Sequence, residues 1–364
     1  MEWRAEVEER EFRVGERQVT IDNEDRMKTP PNLFDFATSE LSQDAFICWL
    51  ASWSDPAFKT ESEPLHATAT AFLDRLLEVG KGPKILEYRS IQVRRQWKDI
   101  DVLLVVNNDT AIIIEDKTDT KDHSGQLEKY RKAVASEFQE SRIAAVYLKT
   151  GDQGNYLGVN QAGYGRFLRR DFLDILNRGE QARVTSDIFS DFLRHLRRIE
   201  AAVQSFSTVP LDEWNKDWNR WKGFFLVLQD RLGGGDWNFV PNPSGGFMGF
   251  SWHWKDDKFL QLENDKLCFK VMVPDKAQQT AKWWEWHNAL IAVKDFGGVK
   301  IEKSVRRKGQ WMTVAVLDGD YRQGTDGRLD LDRTVETLRK VEALMDAALL
   351  RVANAPPSAP PSSQ

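Results

Sequence analysis

Residues 99–117 read DIDVLLVVNNDTAIIIEDK, and this stretch decides the fold around which the chain is built. Two apolar runs rich in β-branched residues flank a short polar segment, which is the pattern of a β-hairpin made of two buried strands. The acidic residues and the lysine flank these runs at the open end of the hairpin. Because successive side chains of a strand alternate between its faces, Glu115 and Lys117 share a face and Asp116 points away.

The length of the connecting loop decides whether Asp101 joins Glu115 and Lys117. If the loop comprised residues 107–110, Asp101 would lie opposite Asp116 and would share its face of the sheet, because directly opposed residues share a face. A three-residue loop, a five-residue loop or a bulge would bring the three side chains to one face. We predict that they share a face. The alternative is that they form only a structural ion pair at the mouth of the hairpin.

The residue types at this hairpin mouth indicate chemistry on a phosphate group. Burying charged side chains costs free energy unless they are paired or bind a metal ion. Carboxylate oxygens suit Mg²⁺, which keeps several waters and takes only one or two carboxylates. A lysine beside such a metal can hold an attacking water or offset the charge that builds up on a phosphate.

An acidic residue on one strand and an acid-x-Lys motif on the next resemble the signature of the PD-(D/E)XK nuclease superfamily. This resemblance implies that Asp101, Glu115 and Lys117 are catalytic, and that Asp101, Glu115 and the backbone carbonyl of Asp116 bind the metal. It also implies Mg²⁺ as the cofactor, with Mn²⁺ as a substitute. The proline that names the family is absent, since Ile100 precedes Asp101.

A second motif follows the lysine, in residues 126–130, which read QLEKY. Gln126 and Tyr130 are four residues apart and therefore lie on one face of a helix. The motif resembles the Gln-x-x-x-Tyr element of RecB-type members of the superfamily, and the resemblance implies that both residues orient the substrate strand. The structural alternative is an amphipathic helix with a tyrosine in the core.

A third motif lies upstream, where residues 46–53 have apolar side chains at the spacing of an amphipathic helix. The segment 32–50 resembles the opening of an uncharacterised bacterial branch of the same superfamily. That resemblance implies Glu40 as a further metal ligand. An acidic residue in a first helical turn is also favoured by the helix dipole without any function, so both interpretations stay open for Glu40. We interpret Asp44 as a structural acid of the first turn.

Composition limits the classes of protein that remain. The chain has 364 residues, which predicts two domains, and its hydrophobic content of 41% is enough for real cores. A net charge of −5 excludes a uniformly basic nucleic-acid binder, so contacts with DNA would require local basic patches such as the arginine-rich helices expected near 166–178 and 185–205. Cys48 and Cys268 indicate buried thiols in a reducing compartment. Without an apolar signal region or membrane-spanning run, we expect a cytoplasmic protein with no membrane contact.

The fold class that we predict is α/β (mixed α+β), with a restriction-endonuclease-like core in which helices flank a central mixed sheet. Strand signals at residues 85–93 and 143–148 add to the hairpin, and residues 65–77 have the spacing of a second helix. We divide the chain into a charged N-terminal arm (1–28), a nuclease-like domain (29–206), a smaller Trp-rich α+β domain (207–352) and a disordered Pro/Ser-rich tail (353–364).

The tryptophan-rich region holds ten of the fourteen tryptophans, beyond residue 205. Phe250, Trp252 and Trp254 alternate as on a strand, and we predict a short antiparallel sheet with helices. The tryptophans fit a core, and they also fit stacking on flipped or single-stranded bases, so both interpretations stay open. Residues 306–309 read RRKG and predict a basic turn.

The function that follows is a metal-dependent nuclease that hydrolyses DNA, and the resemblance places such proteins in bacterial restriction or phage defence. The alternatives are an RNase, a nuclease gated by a partner or effector, and a non-catalytic interaction module on a nuclease scaffold. DNA is the expected partner, and a protein partner or homo-oligomer is open. The five histidines, His123 among them, lack the spacing of a metal site, and the chain has no Walker A loop or dinucleotide fingerprint.

Overall fold

The protein is described by a computed structural model, which covers residues 30–120, 125–243, 245–294, 296–305, 309–322, 324 and 326–353, without the side chains of residues 215 and 216. The expected charged arm (1–28), His123 and the basic residues 306–308 lie outside the described residues. So do residues 354–364 of the expected tail, whereas residue 353 ends a helix.

The first half of the chain forms six helices and five strands in the described residues, counting α-helices only. They are α1 (Glu40–Ser52), α2 (Glu63–Val79), β1 (Ile91–Trp97), β2 (Ile100–Val106), β3 (Thr110–Lys117), α3 (Gln126–Ala135), β4 (Ile143–Lys149), α4 (Leu157–Gln161), β5 (Gly165–Leu168), α5 (Arg169–Gln181) and α6 (Asp187–Gln204).

The five strands form one mixed sheet in the order β1-β2-β3-β4-β5. Strand β2 runs antiparallel to both β1 and β3, whereas the pairs β3–β4 and β4–β5 are parallel. Helices α1, α2, α5 and α6 pack on one face of this sheet and α3 on the other. Because both faces are covered, β2 and β3 read as continuous apolar runs. The predicted mixed sheet flanked by helices is therefore confirmed.

The loop of the hairpin contains three residues, which settles the register. Val106 pairs with Thr110 and Val102 with Ile114, so Asp101 falls opposite Glu115. Asn107 has a backbone φ of 53° and is followed by a second asparagine with φ 63°. Asparagine tolerates this left-handed conformation better than most residues do, which allows the short turn.

Two elements differ from the sequence prediction. The strand expected around 85–93 begins only at Ile91, because the Asn107 side chain accepts a hydrogen bond from Arg89 N and donates one to Glu87 O. The helix expected near 166–178 begins at Arg169, after the short strand β5. Strand β5 was not predicted, because four residues are too few to show the alternation of apolar and polar side chains that marks a strand. Its Gly165 lies so close to α2 that a Cβ would meet Val79 O at 1.7 Å.

The second half of the chain forms a second α+β unit. Its elements are α7 (Trp218–Leu232), β6 (Asp236–Val240), β7 (Phe247–Lys255), β8 (Lys258–Glu263), β9 (Lys266–Met272), α8 (Gln279–Ile291), β10 (Ile301–Lys303), β11 (Trp311–Leu317) and α9 (Leu331–Ala353). The strands form an antiparallel sheet in the order β10-β11-β9-β8-β7-β6. The sheet is larger than the short one we predicted, since its polar and aromatic strands β6 and β8 lack a clear apolar signal.

Most tryptophans of this unit belong to its core. Helices α7, α8 and α9 pack on one face of the sheet, and six tryptophans are buried in the core that includes this interface, namely Trp214, Trp221, Trp237, Trp252, Trp283 and Trp286. The expectation that Phe250, Trp252 and Trp254 share a face is wrong for Trp254. The pairing of β7 with β8 is irregular between Trp252 and Lys255, and His253 has a φ of 53°. This bulge turns Trp254 to the opposite face.

Among the described helices, none combines the length and the apolar character needed to cross a membrane.

Candidate active site

The open end of the hairpin carries a cluster of oxygen atoms around one ammonium group. Lys117 Nζ lies 2.6 Å from Glu115 Oε1, 3.7 Å from Asp101 Oδ2 and 3.9 Å from Glu40 Oε2. It also donates a hydrogen bond of 3.0 Å to the backbone carbonyl of Asp116. The structure thus brings together the predicted residues Asp101, Glu115 and Lys117, with Glu40 beside them.

Asp101 is held in place by the neighbouring strand. Its Oδ2 atom accepts a hydrogen bond of 2.9 Å from the backbone N–H of Asp116, which fixes the carboxylate at the beginning of β2 against the end of β3. The side chain remains 27% exposed. Asp101 therefore presents oxygen atoms to the solvent side of the cluster.

Glu40 is the first residue of α1 and reaches the same cluster from another layer of the fold. Its Oε1 atom accepts hydrogen bonds from Thr118 N at 3.1 Å and from Thr120 Oγ1 at 2.6 Å. Its other oxygen, Oε2, faces Lys117 and the side chain is 33% exposed. Glu40 contacts the segment after β3, so it does more than balance the dipole of its own helix.

Burial gives the two innermost groups of the cluster unusual acidities. Glu115 is 0% exposed, and burial, followed by the nearby negative charge of Asp101, raises the pKa of Glu115 to about 8. Burial alone would lower the pKa of Lys117, but the Glu115 carboxylate beside it raises that pKa above its ordinary value. The cluster therefore strongly favours a cation next to Glu115.

The donor set of the cluster fits a hard divalent cation, although the described residues contain no ready group of three metal-ligating side chains. The Lys117 ammonium lies among these oxygen atoms. Glu115 Oε2 is buried and accepts no hydrogen bond from any described residue. A desolvated carboxylate oxygen of this kind calls for a positive partner, and carboxylates with a backbone carbonyl are oxygen ligands of the type that Mg²⁺ takes.

Gln126 and Tyr130 lie on one face of α3, as their spacing predicts. Gln126 Nε2 donates a hydrogen bond of 2.8 Å to the Tyr130 hydroxyl. Tyr130 is buried in the core beneath the sheet, where the negative charges of Glu115 and Asp101 contribute to raising its pKa after the larger effect of burial. Both interpretations of this motif are compatible with these contacts, and Gln126 is the more accessible of the pair.

A buried polar network that we did not predict lies behind the cluster. Gln43 Nε2 donates to Asp116 Oδ1 at 2.5 Å, and Thr150 Oγ1 donates to Gln43 Oε1 at 2.6 Å. Asp44 lies beside Asp116, and burial raises the pKa of both carboxyl groups. This network ties α1 to the ends of β3 and β4, in line with a structural role for Asp44. Asp44 is the fifth residue of α1, however, and does not lie in the first turn as predicted. The spacing of Gln43 three residues after Glu40 was the available signal.

A second buried lysine, Lys149, also escaped the sequence analysis. It ends β4 at the position paired with Lys117, and its Nζ donates to the backbone carbonyl of Thr120. Burial lowers the pKa of Lys149 to about 8. Lys149 ends an apolar run in the sequence, as Lys117 does, and this pattern could have indicated Lys149 as a candidate.

Many arginines of the α5 and α6 region are engaged in ion pairs, which favours a solvated helix face with salt bridges over a basic patch for DNA. Arg169 is buried between Asp152 and Glu200. The other pairs are Arg194–Asp191, Arg197–Glu180 and Arg198–Asp35.

Comparison with known proteins bears on the segment that holds this site. Residues 31–178 match the family model of the PD-(D/E)XK nuclease superfamily. Neither the curated proteins nor the solved structures include a significant match to this chain. The matched segment contains Glu40, Asp101, Glu115 and Lys117 as well as the whole mixed sheet. The predicted resemblance is confirmed: residues 31–178 are similar to the PD-(D/E)XK nuclease superfamily.

Proposed function

We propose that the chain is a metal-dependent nuclease that hydrolyses phosphodiester bonds in DNA. The observation that supports this proposal best is the convergence of three carboxylates from α1, β2 and β3 on one buried lysine. A purely structural ion pair would need one acid, and additional buried carboxylates raise the cost of desolvation. The three carboxylates can bind a metal cation, and the lysine among them can bind an anionic phosphate.

In this proposal Asp101 and Glu115 hold Mg²⁺, or Mn²⁺ as its substitute, with Glu40 and the backbone carbonyl of Asp116 as further ligands. The ion would supply Lewis-acid stabilisation of the phosphate and a water of lowered pKa. Lys117 has three N–H donors, of which one contacts the Asp116 carbonyl and another Glu115. The third donor can position the attacking water or stabilise the charge that develops on the phosphate oxygens.

Gln126 would orient the substrate strand from α3, and the contact with the Tyr130 hydroxyl would hold its amide in place. Hydrogen bonds to backbone phosphates position a nucleic acid without reading its sequence. We place this activity in the cytoplasm and in restriction or phage defence, which the resemblance favours.

The test is cleavage of supercoiled plasmid, linear duplex DNA, single-stranded DNA and RNA with Mg²⁺ or Mn²⁺. Lys117→Ala and Asp101→Ala should abolish cleavage, as should EDTA. Lys98→Ala and Asp99→Ala are matched controls, because both residues are exposed at the turn before β2, where Lys98 contacts Glu137 and the Trp97 ring and Asp99 contacts Lys129. If the wild-type protein cleaves only RNA, then RNA and not DNA is its substrate. Absence of both cleavage and carboxylate-dependent metal binding would overturn the nuclease proposal.

A gated nuclease is the second candidate, and one contact favours it. Lys222 Nζ on α7 lies 3.6 Å from Asp119 Oδ1, in the segment after β3 whose Thr118 and Thr120 bind Glu40. The second unit therefore contacts the segment that positions a proposed metal ligand. Metal binding by calorimetry without cleavage of any of the four substrates would favour gating over the ungated enzyme.

A further inference from the structure

The second sheet has a face that its helices do not use. Helices α7, α8 and α9 pack on one face, whereas the opposite face forms the floor of a groove of about 990 Å³. This volume is of the size that small-molecule sites usually have. The side chains that alternate away from the core along β8, β9 and β11 line the groove, among them Phe259, Gln261, Lys270 and Thr313.

A bulge in β7 delivers a tryptophan to this groove. Trp252 points to the core, where its Nε1 atom donates to Glu342 of α9, and His253 contacts Asp346 of the same helix. The left-handed backbone of His253 then sends Trp254 to the groove side. A non-glycine residue in this conformation costs free energy, and bulges of this kind commonly re-aim a side chain.

Trp254 forms an aromatic corner with two other rings. Its ring stacks on Phe259 with centroids 3.9 Å apart and an interplanar angle of 6°. Trp311 stands nearly perpendicular to both rings, at 88° to Trp254 and 82° to Phe259. Trp254 and Trp311 remain 44% and 53% exposed, so two broad indole surfaces border the groove at one end.

Polar and charged groups continue from the aromatic corner along the sheet. Gln261 and Ser251 are paired across β7 and β8 and offer amide and hydroxyl groups. Lys270 is neutralised by Glu263, with Nζ and Oε1 2.6 Å apart. Lys266, by contrast, is exposed and forms no ion pair within the described part of the chain. Within its described lining the groove thus offers stacking surface, hydrogen-bonding groups of both kinds and a lysine that forms no ion pair.

We propose that this groove binds a free nucleotide, with its base against Trp254 and Trp311 and its phosphate near Lys266. Nucleobases have flat π-faces that stack on aromatic side chains, and their edges carry donors and acceptors that match amide and hydroxyl groups. The phosphate of a mononucleotide complements Lys266, which forms no ion pair within the described residues. The binding site is separate from the cluster around Lys117, so it stands independently of the proposed nuclease activity.

A long nucleic-acid strand suits the groove less well than a mononucleotide does. Proteins that bind single strands line the path of the backbone with positive charge. Among the described lining residues, two acidic side chains, Asp236 and Glu263, accompany the two lysines Lys266 and Lys270. The formal charge of these described residues sums to zero, so they give no net attraction for a polyanion.

The test is isothermal titration of the full chain with AMP, GMP, CMP and UMP, beside ribose 5-phosphate and an oligothymidylate. We expect saturable binding of at least one mononucleotide and none of ribose 5-phosphate, because the sugar phosphate lacks the base. Trp311→Ala should weaken that binding roughly 5- to 150-fold, the usual effect of removing one stacking partner, and so should Trp254→Ala. Trp311 is exposed at the surface, so its variant keeps the test valid if Trp254→Ala does not fold.

Trp284→Ala is the matched control, because Trp284 is an equally exposed tryptophan of the same unit that lies on α8. It should bind the nucleotide as tightly as wild type. The proposal is overturned if no mononucleotide binds, if ribose 5-phosphate binds as tightly, or if Trp311→Ala leaves binding unchanged. Binding of the oligonucleotide alone, lost in Trp311→Ala, would overturn the free nucleotide in favour of a strand.

Discussion

The ends of strands β3 and β4 carry two buried lysines at paired positions, Lys117 and Lys149, and their surroundings differ in charge. Lys117 lies within 4 Å of three carboxylates, whereas the hydrogen-bond acceptor of Lys149 is the backbone carbonyl of Thr120. In both cases burial lowers the pKa, but only Lys117 has the carboxylate that reverses this effect. The pKa of Lys149 falls to about 8.

This difference shows that position in the sheet does not by itself make a lysine part of a reactive site. The acids that surround Lys117 come from α1, β2 and β3, and Asp101 lies on β2, which pairs with the edge of β3 opposite to β4. Strand β4 lies on the other side of β3, so Lys149 is left to hold the segment after β3. Lys117 is thus placed for chemistry and Lys149 for positioning.

The largest expected effect is a difference in cleavage rate between variants of the two lysines. Lys117→Met should lower the cleavage rate about 100- to 1,000-fold, because it removes a donor to the developing charge. Lys149→Met should lower it less than about 10-fold, since it removes only a contact to the backbone of Thr120. Single-turnover cleavage under identical metal conditions measures both. Equal losses in the two variants would break the comparison and assign both lysines to the reaction.

The next effect concerns the pH dependence of stability, and it tests the charge of Lys149. Its pKa is lowered from 10.5 to about 8, so between these values the unfolded chain binds more protons than the folded one. The free energy of unfolding contributed by Lys149 should therefore rise as pH increases from 8 to 10.5, by about 3 kcal/mol, and stay at its minimum below pH 8.

Urea denaturation of wild type and Lys149→Met between pH 7 and 10.5 measures this contribution, because subtracting the two curves isolates Lys149. The difference should shift in favour of wild type as pH rises. Parallel curves would show that Lys149 keeps an ordinary pKa, and the contrast with Lys117 would then lose its electrostatic basis.

A smaller effect is expected at Gln43, which joins the ends of both strands. Gln43→Ala leaves Asp116 Oδ1 without its donor and Thr150 without its acceptor, both of them buried. Leaving buried groups unsatisfied in this way costs about 1–3 kcal/mol, so the free energy of unfolding should fall by about 2 kcal/mol. Gln204→Ala is the control, because Gln204 is exposed on α6 and contacts only Glu200. A stability equal to that control would show that the network does not hold the strands together.

The smallest effect is expected where the second unit contacts the segment after β3. Lys222→Ala removes an ion pair with Asp119, whose side chain is largely exposed. The free energy of unfolding should therefore change by less than about 1 kcal/mol. If the contact gates the site, however, the affinity for Mn²⁺ measured by calorimetry should change although stability does not. An unchanged metal affinity would show that the second unit does not affect the metal site. The difference between Lys117 and Lys149 would then depend on the first unit alone.

Much of the site followed from local sequence. The acidic residues and lysine at the open end of two apolar runs gave Asp101, Glu115 and Lys117, and the helical spacing gave the shared face of Gln126 and Tyr130. Glu40 required the family resemblance, since a first-turn acid has an adequate local explanation. Its contact with Thr118, 78 residues away, could not be deduced from periodicity.

The sequence by itself determined which segments form strands and helices in most of the chain and which residue types end the hairpin, because apolar periodicity reflects burial within a single element. Only the tertiary structure decided the register, the surroundings of Lys149 and the turn of Trp254 to the groove. A three-residue loop with two left-handed asparagines set the register of the hairpin, and a bulge at His253 set the direction of Trp254. These depend on how a backbone closes against its neighbours, and contacts between distant elements do not repeat along the chain with any period.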